Sequence, residues 1–192
     1  EPCAPLREFL KERRGNDYAD WMVEPDEGAS YERVIDIDLD TVPLTVATPG
    51  DSRNRMSLES AADVDIHNVV IASCTGGSIT DLRAAADVLR GRQIREGVRV
   101  TVTPSSEVVA QEAESEGILA VFRELGAVIS PPGCGSCIGN GPGVPLPGET
   151  TASTTNRNFD RRMGAPGPVY LVSPAVAAAS AVTGTLTDPR DL

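Results

Sequence analysis

The chain has 192 residues, 40% of them hydrophobic, and carries 28 acidic against 17 basic side chains, a formal net charge of −11. That surplus of negative charge speaks against a nucleic-acid or anionic-membrane surface, since both need clustered cations, and an aromatic content of 4% leaves little for stacking on bases or sugars. No apolar run approaches the roughly 20 residues that span a bilayer and no signal-peptide pattern opens the sequence, so the expectation is a cytoplasmic protein built around one main core.

In chain order, residues 1–30 are polar and weakly periodic. Within them "APLREFLKERRG" predicts a short helix ended by Gly15, and "VEPDEGAS" a loop. "ERVIDIDLD" (32–40) alternates apolar and acidic residues, the pattern of a half-exposed strand. "PLTVATP" (43–49) predicts a second extended piece, followed by the turn-rich "GDSRNR". Residues 1–65 are read as a lead-in segment packed on the domain that follows, and 66–192 as that domain.

From residue 66 the pattern changes. "IHNVVIASC" is a continuous apolar strand, as in strands buried on both faces, and Cys74 ends it. "SITDLRAAADVLRG" has Ser78 as N-cap, Asp81 three residues on and Gly91 as the stop, a helix with a capping-box start. "VRVTVTP" (98–104) is the next strand, "SSEVVAQEAESEG" and "ILAVFRELG" are helices closed by Gly117 and Gly126, and "AVISPP" (127–132) is a third strand. "VYLVSP" (169–174) reads as a fourth strand, leading into the helix "PAVAAASAVTG" with Pro174 in its first turn. Strands alternating with helices predict an α/β domain, a three-layer α/β/α arrangement around a mostly parallel sheet. The span 131–160 reads as one long loop, and loops of that length in a compact domain are usually functional.

That loop holds "PPGCGSCIGNGPG" (131–143), with two cysteines, five glycines and three prolines in thirteen residues. Ligand sites in open parallel sheets form outside the carboxyl ends of the strands. Cys74, Cys134 and Cys137 all follow strands, and they converge if those strands are neighbours. A redox Cys-x-x-Cys pair normally opens a helix that lowers the nucleophile's pKa, but the residues after Cys137 cannot sustain one. A closed zinc tetrahedron needs a fourth ligand, which only Cys3 or the single histidine, His67, could supply, and neither has convincing spacing. His67 reads as an ordinary hydrogen-bonded residue. Two readings remain beside these: a cubane iron–sulfur cluster on three thiolates, and small apolar side chains in a tight turn.

The segments "VVIASCTGGSITDLRAAADVL", "PPGCGSCIGNGPGVPLPGETTASTTNRNF" and "VYLVSPAVAAASAVTG", in this order, resemble the aconitase family, above all the large subunits of its isopropylmalate dehydratase and homoaconitase branch. The likeness runs from about residue 66 to the end of the chain. It implies the iron–sulfur domain of that family, the third domain of the large subunit, with a [4Fe–4S] cluster on Cys74, Cys134 and Cys137. It further implies Asn156 beside the reacting oxygen, and Arg157 and Arg162 contacting substrate carboxylates or ordering the site. The implied activity is that of a hydro-lyase, moving water between neighbouring carbons of a hydroxy-carboxylic acid. The family's histidines and its serine base belong to other domains, so the resemblance implies partner chains that carry the first two large-subunit domains and the small swivelling domain. The alternative is a non-enzymatic thiol redox or metal-binding interaction module using Cys134 and Cys137. Two positions depart from the family: Gly76 stands where Asn is usual, which removes a hydrogen-bonding side chain beside the cluster, and Arg161 stands where Gly is common, adding a charge that either alters carboxylate preference or faces solvent.

Overall fold

A computed structural model describes residues 3–192; Glu1 and Pro2, the first residues of the predicted lead-in, lie outside the described residues. The described residues divide into two units, one reaching to Val42 and one comprising Pro43–Leu192. In the first, α1 (Ala4–Arg14) stops at Gly15, whose left-handed φ of 73° lets its N–H return to the Lys11 carbonyl at 2.8 Å. The strand expected at 32–40 does not form. Val34, Ile35 and Ile37 stand 75%, 65% and 67% exposed, and the only regular element there is a single 3₁₀ turn at Leu39–Thr41. Alternation specifies a strand only where a neighbour supplies the ladder, and no described residue pairs with this segment.

The second unit opens with a hairpin, β1 (Thr45–Ala47) and β2 (Arg55–Ser57), around the turn predicted at "GDSRNR". Then follow β3 (Asn68–Ala72), the helical turn α2 (Ser73–Gly76), α3 (Ile79–Leu89), β4 (Arg99–Thr103), α4 (Glu107–Ser115), α5 (Ile118–Glu124) and β5 (Val128–Ile129). The chain continues through β6 (Thr151–Ser153) and β7 (Val169–Leu171) to α6 (Pro174–Thr183). The sheet order is β2-β1-β7-β6-β3-β4-β5, with β3 to β7 parallel and the hairpin antiparallel at one edge. The α/β class with a mostly parallel sheet, read from the alternation of elements, is what the structure shows. The predicted long loop 131–160 is interrupted by β6, and Cys74 lies not at the end of β3 but in the helical turn after it.

The two faces of the sheet are buried by different chemistry. Val69 and Ile71 of β3, Val100 and Val102 of β4 and Ala152 of β6 join Leu82, Leu89, Phe122 and the alanines of α6 in the main core. Full burial of a side chain such as Phe122 is worth about 2–3 kcal/mol. The side chains that alternate with these point the other way: Asn68, Thr101, Thr103, Thr151 and Ser153 are buried and polar, beside a small apolar cluster of Val70, Ala72, Met163 and Val169. Over that polar face lie the loops that carry the cysteines and the "NRNF" segment. Asn68 donates its amide to the Gly143 carbonyl at 3.0 Å, which ties the cysteine loop down.

Candidate metal centre

Because β3 to β7 are parallel, their carboxyl ends share one rim, and every residue expected at the site follows one of these strands. After β3 the chain turns sharply: Ser73 is buried and holds φ at 70°, a left-handed backbone that a residue with a Cβ adopts only at some cost. The turn places Cys74, exposed, at the start of α2. Gly76 and Gly77 make this turn possible. A Cβ at Gly76 would lie 2.3 Å from Cβ of Thr154, and one at Gly77 2.6 Å from the Thr103 carbonyl. Thr154 completes the junction, accepting the Ala72 N–H at 2.9 Å and donating to the Gly76 carbonyl at 3.1 Å.

The strands preceding Cys74 and Cys134 are not neighbours, because β4 runs between β3 and β5. The loop after β5 closes the gap by crossing the end of β4. Gly133 N–H bonds the Pro104 carbonyl at 3.0 Å, Gly135 sits against Thr103, and the short 3₁₀ turn Gly135–Ile138 packs on β3. Cys137 N–H closes that turn on the Cys134 carbonyl at 3.0 Å. Cys134 is exposed and Cys137 is buried, and all four cysteines are free thiols. The glycines of the loop serve close approach of chain to chain: a Cβ on Gly139 would lie 2.9 Å from the Gly164 Cα, and one on Gly143 3.0 Å from Ser136 Oγ.

β6 delivers the rest. Cys137 Sγ lies 3.9 Å from Asn156 Oδ1, and Arg162 Nη2 donates to the same sulfur at 3.8 Å. Arg157 is exposed, its Nη1 on the Asn156 carbonyl at 2.7 Å, and it lines a cleft of about 420 Å³ with Asp51 and Arg53. Arg53 hydrogen-bonds Asp51 and holds that carboxyl down to about 2, below the ordinary aspartate range, with Arg157 contributing a smaller share. Arg161 faces solvent, 70% exposed at its side chain, with φ of 57°. Cys3 lies in the other unit, and His67 immediately precedes β3 at the opposite end of the sheet from the thiols, its Nδ1 accepting the Thr150 N–H at 3.3 Å.

One residue central to this arrangement carries no chemical signal in the sequence. Asn158 is buried, and its amide donates to the carbonyls of Thr48 at 2.7 Å and Val169 at 3.0 Å, which anchors the loop bearing Asn156, Arg157 and Arg162 to β1 and β7. A larger cleft, about 590 Å³, lies between Leu44, Leu58 and Leu186 and has no cysteine in its lining. Chemistry and not size therefore marks the site.

Among the described residues no three His, Cys, Asp or Glu side chains converge tightly enough for a single metal ion. The thiols as placed do not form a closed zinc tetrahedron. In its chemistry the donor set suits a multi-iron cluster, whose ligands stand at separate corners. It offers three thiols on one rim and a guanidinium donor at the buried one, the kind of hydrogen bond that cluster sulfurs accept.

A parallel sheet whose carboxyl rim bears cysteines after two strands and an Asn–Arg loop after a third defines an α/β domain with a candidate metal centre. Residues 59–184 match the aconitase (aconitate hydratase) family, and the chain belongs to it. It is 45% identical over 186 residues to the 3-isopropylmalate dehydratase large subunit of Clostridium kluyveri, covering 96% of this chain and 44% of the relative. It is 47% identical over 174 residues to the homoaconitase large subunit of Thermus thermophilus (90% and 41%), and 43% identical over 195 residues to a 3-isopropylmalate dehydratase large subunit of Pyrococcus furiosus (100% and 46%). The chain spans less than half the length of these curated relatives. No helix among the described residues is long and apolar enough to cross a membrane.

Proposed function

We propose that this chain is the cluster-bearing part of an iron–sulfur hydro-lyase that dehydrates and rehydrates a hydroxy di- or tricarboxylic acid, together with chains that supply the remaining domains. The observation that carries this reading is the meeting of Cys137, Asn156 and Arg162 on the rim that also bears Cys74 and Cys134. The names of the relatives point to the same class of reaction.

Cys74, Cys134 and Cys137 would hold a [4Fe–4S] cluster, which when bound supplies a Lewis-acidic iron for a substrate hydroxyl. The work of the chain's own residues is to bind and orient. Arg157 presents an exposed planar guanidinium that can take a carboxylate through two parallel bonds. Asn156 stands beside the Cys137 sulfur with an amide suited to a hydroxyl or carboxylate oxygen. Asn158 fixes both by holding their loop to the sheet. Proton transfer falls to partner chains, because the only histidine is engaged at the far end of β3.

Anaerobic reconstitution of the full chain with iron and sulfide tests the reading. The expected result is about four irons per chain with broad visible absorption, abolished by Cys134→Ser. Zinc without iron, or no metal and a reversible Cys134–Cys137 disulfide, would replace the hydro-lyase reading with a metal-binding or redox module. Turnover of a hydroxy acid by the purified chain alone would remove the need for partners.

A further inference from the structure

Arg162 differs from the chain's other well-placed arginines in what it touches. Arg53, Arg83, Arg99, Arg123 and Arg190 each meet a carboxylate, whereas among the described residues no carboxylate pairs with Arg162. Its Nη2 lies 3.8 Å from the Cys137 sulfur, and the Phe159 ring stands 5.6 Å from its guanidinium carbon. Its Nε is buried without a partner among the described residues. In a chain with net charge −11, a cation held away from carboxylates and against a sulfur is specifically placed. The backbone enforces that placement. Two residues beyond each partner, Gly139 and Gly164 pack so closely that a Cβ on either would come within 2.9 and 3.1 Å of the other's Cα. The Arg162 N–H closes a turn on the Phe159 carbonyl at 3.0 Å.

We infer that Arg162 is a positioning residue for the cluster: its guanidinium donates to the ligating sulfur of Cys137 and thereby sets the cluster's reduction potential and its hold on iron. The inference rests on the cluster reading proposed above. A donor and a positive charge at a ligand sulfur stabilise the reduced, more negative state most, so they raise the potential. Removing them lowers it. The clasp of Gly139 on Gly164 maintains the distance, so the effect depends on these two glycines as well.

The test is a dithionite titration of the reconstituted full chain, followed by electron paramagnetic resonance, for wild type, Arg162→Gln and Arg162→Lys, with Arg157→Gln as the control. Arg162→Gln is expected to titrate at a more negative potential and to lose iron to chelator several-fold faster than wild type. Arg162→Lys keeps the charge and the packing of the stem and is expected to fall between the two. Arg157→Gln, whose guanidinium reaches a backbone carbonyl and no sulfur, is expected to keep the wild-type potential. Should Arg162→Gln fail to fold, Arg162→Lys decides by the same two readouts. A full cluster with wild-type potential and chelator resistance in the Arg162 variants overturns the inference and leaves the cluster reading intact. Absence of iron from the wild-type chain overturns both.

Discussion

At the scale of single residues, Gly76 and Arg161, the two positions that the sequence resemblance marks as departures, turn out to be matters of backbone and space. Gly76 packs its Cα face against Thr154, with 2.3 Å left for a Cβ and 2.6 Å from that Cβ to the Thr154 carbonyl. A carbonyl cannot rotate away as a long side chain can. Gly76→Asn is therefore expected to destabilise this chain by about 1–3 kcal/mol, the typical cost of overpacking, read as a drop in the thermal midpoint. An unchanged midpoint would mean that β6 yields at Thr154. Arg161 behaves oppositely. Its side chain is 70% exposed and its φ is 57°, so it contributes little contact while holding a left-handed backbone that costs a residue with a Cβ about 1 kcal/mol or more. Arg161→Gly is expected to raise stability by about 1 kcal/mol, measured by urea unfolding. A loss of stability would show that the exposed guanidinium makes a contact worth more than the strain. The extra positive charge that the sequence presents at this position faces solvent.

At the scale of elements, legibility followed periodicity and caps. The predicted helix at "SITDLRAAADVLRG" is α3, and its start was readable because Ser78 and Asp81 satisfy each other's turn: the Ser78 hydroxyl accepts the Asp81 N–H and the Asp81 carboxylate accepts the Ser78 N–H. β3 was readable as a strand buried on both faces because all five of its side chains are covered. β6 was not readable. Its three residues, Thr151, Ala152 and Ser153, are too few to show a period, and only Ala152 adds apolar area to the core; Thr151 and Ser153 are buried as hydroxyls, Thr151 Oγ1 accepting from Asn68 at 3.2 Å and Ser153 Oγ bonding Thr155 Oγ1 at 2.9 Å. The same limit applied to the segment 32–40, where the period was present and the ladder partner was not. For the candidate site, the thiols and the "NRNF" loop stand out as candidates by residue type and order. Asn158 was missed because a buried asparagine that donates to three carbonyls looks, in sequence, like any other polar loop residue. The crossing of the cysteine loop over β4 was missed because it depends on which strands are neighbours, which order along the chain does not determine.

At the scale of the whole molecule, charge sets how stability responds to acid. Among the described residues, every carboxylate with a clear shift is held below its ordinary range by an arginine hydrogen bond first: Asp51 by Arg53, Glu114 by Arg123, Glu116 by Arg83, Glu149 by Arg99 and Asp188 by Arg190. A group whose folded pKa is depressed binds fewer protons folded than unfolded. Its contribution is complete above the unfolded value near 4 and is lost as pH falls through the folded value. Against this, the net charge of −11 at pH 7 shrinks toward zero near pH 4.5, which relieves self-repulsion over the same descent. The two effects separate in pH: repulsion is relieved between pH 7 and about 4.5, while the depressed carboxylates are neutralised below that. The urea midpoint is therefore expected to hold level or rise slightly from pH 7 to about 5, and then to fall toward pH 3. Glu149 is the group to probe, since it is the most buried of these at its side chain and also accepts the Leu146 N–H at 2.7 Å, tying the cysteine loop's far end to β4 through Arg99. Glu149→Gln is expected to be less stable than wild type at pH 7, with the gap closing by pH 3 as the native carboxylate protonates. A gap that stays constant across this range would show that Glu149 acts through packing of the loop and not through its charge.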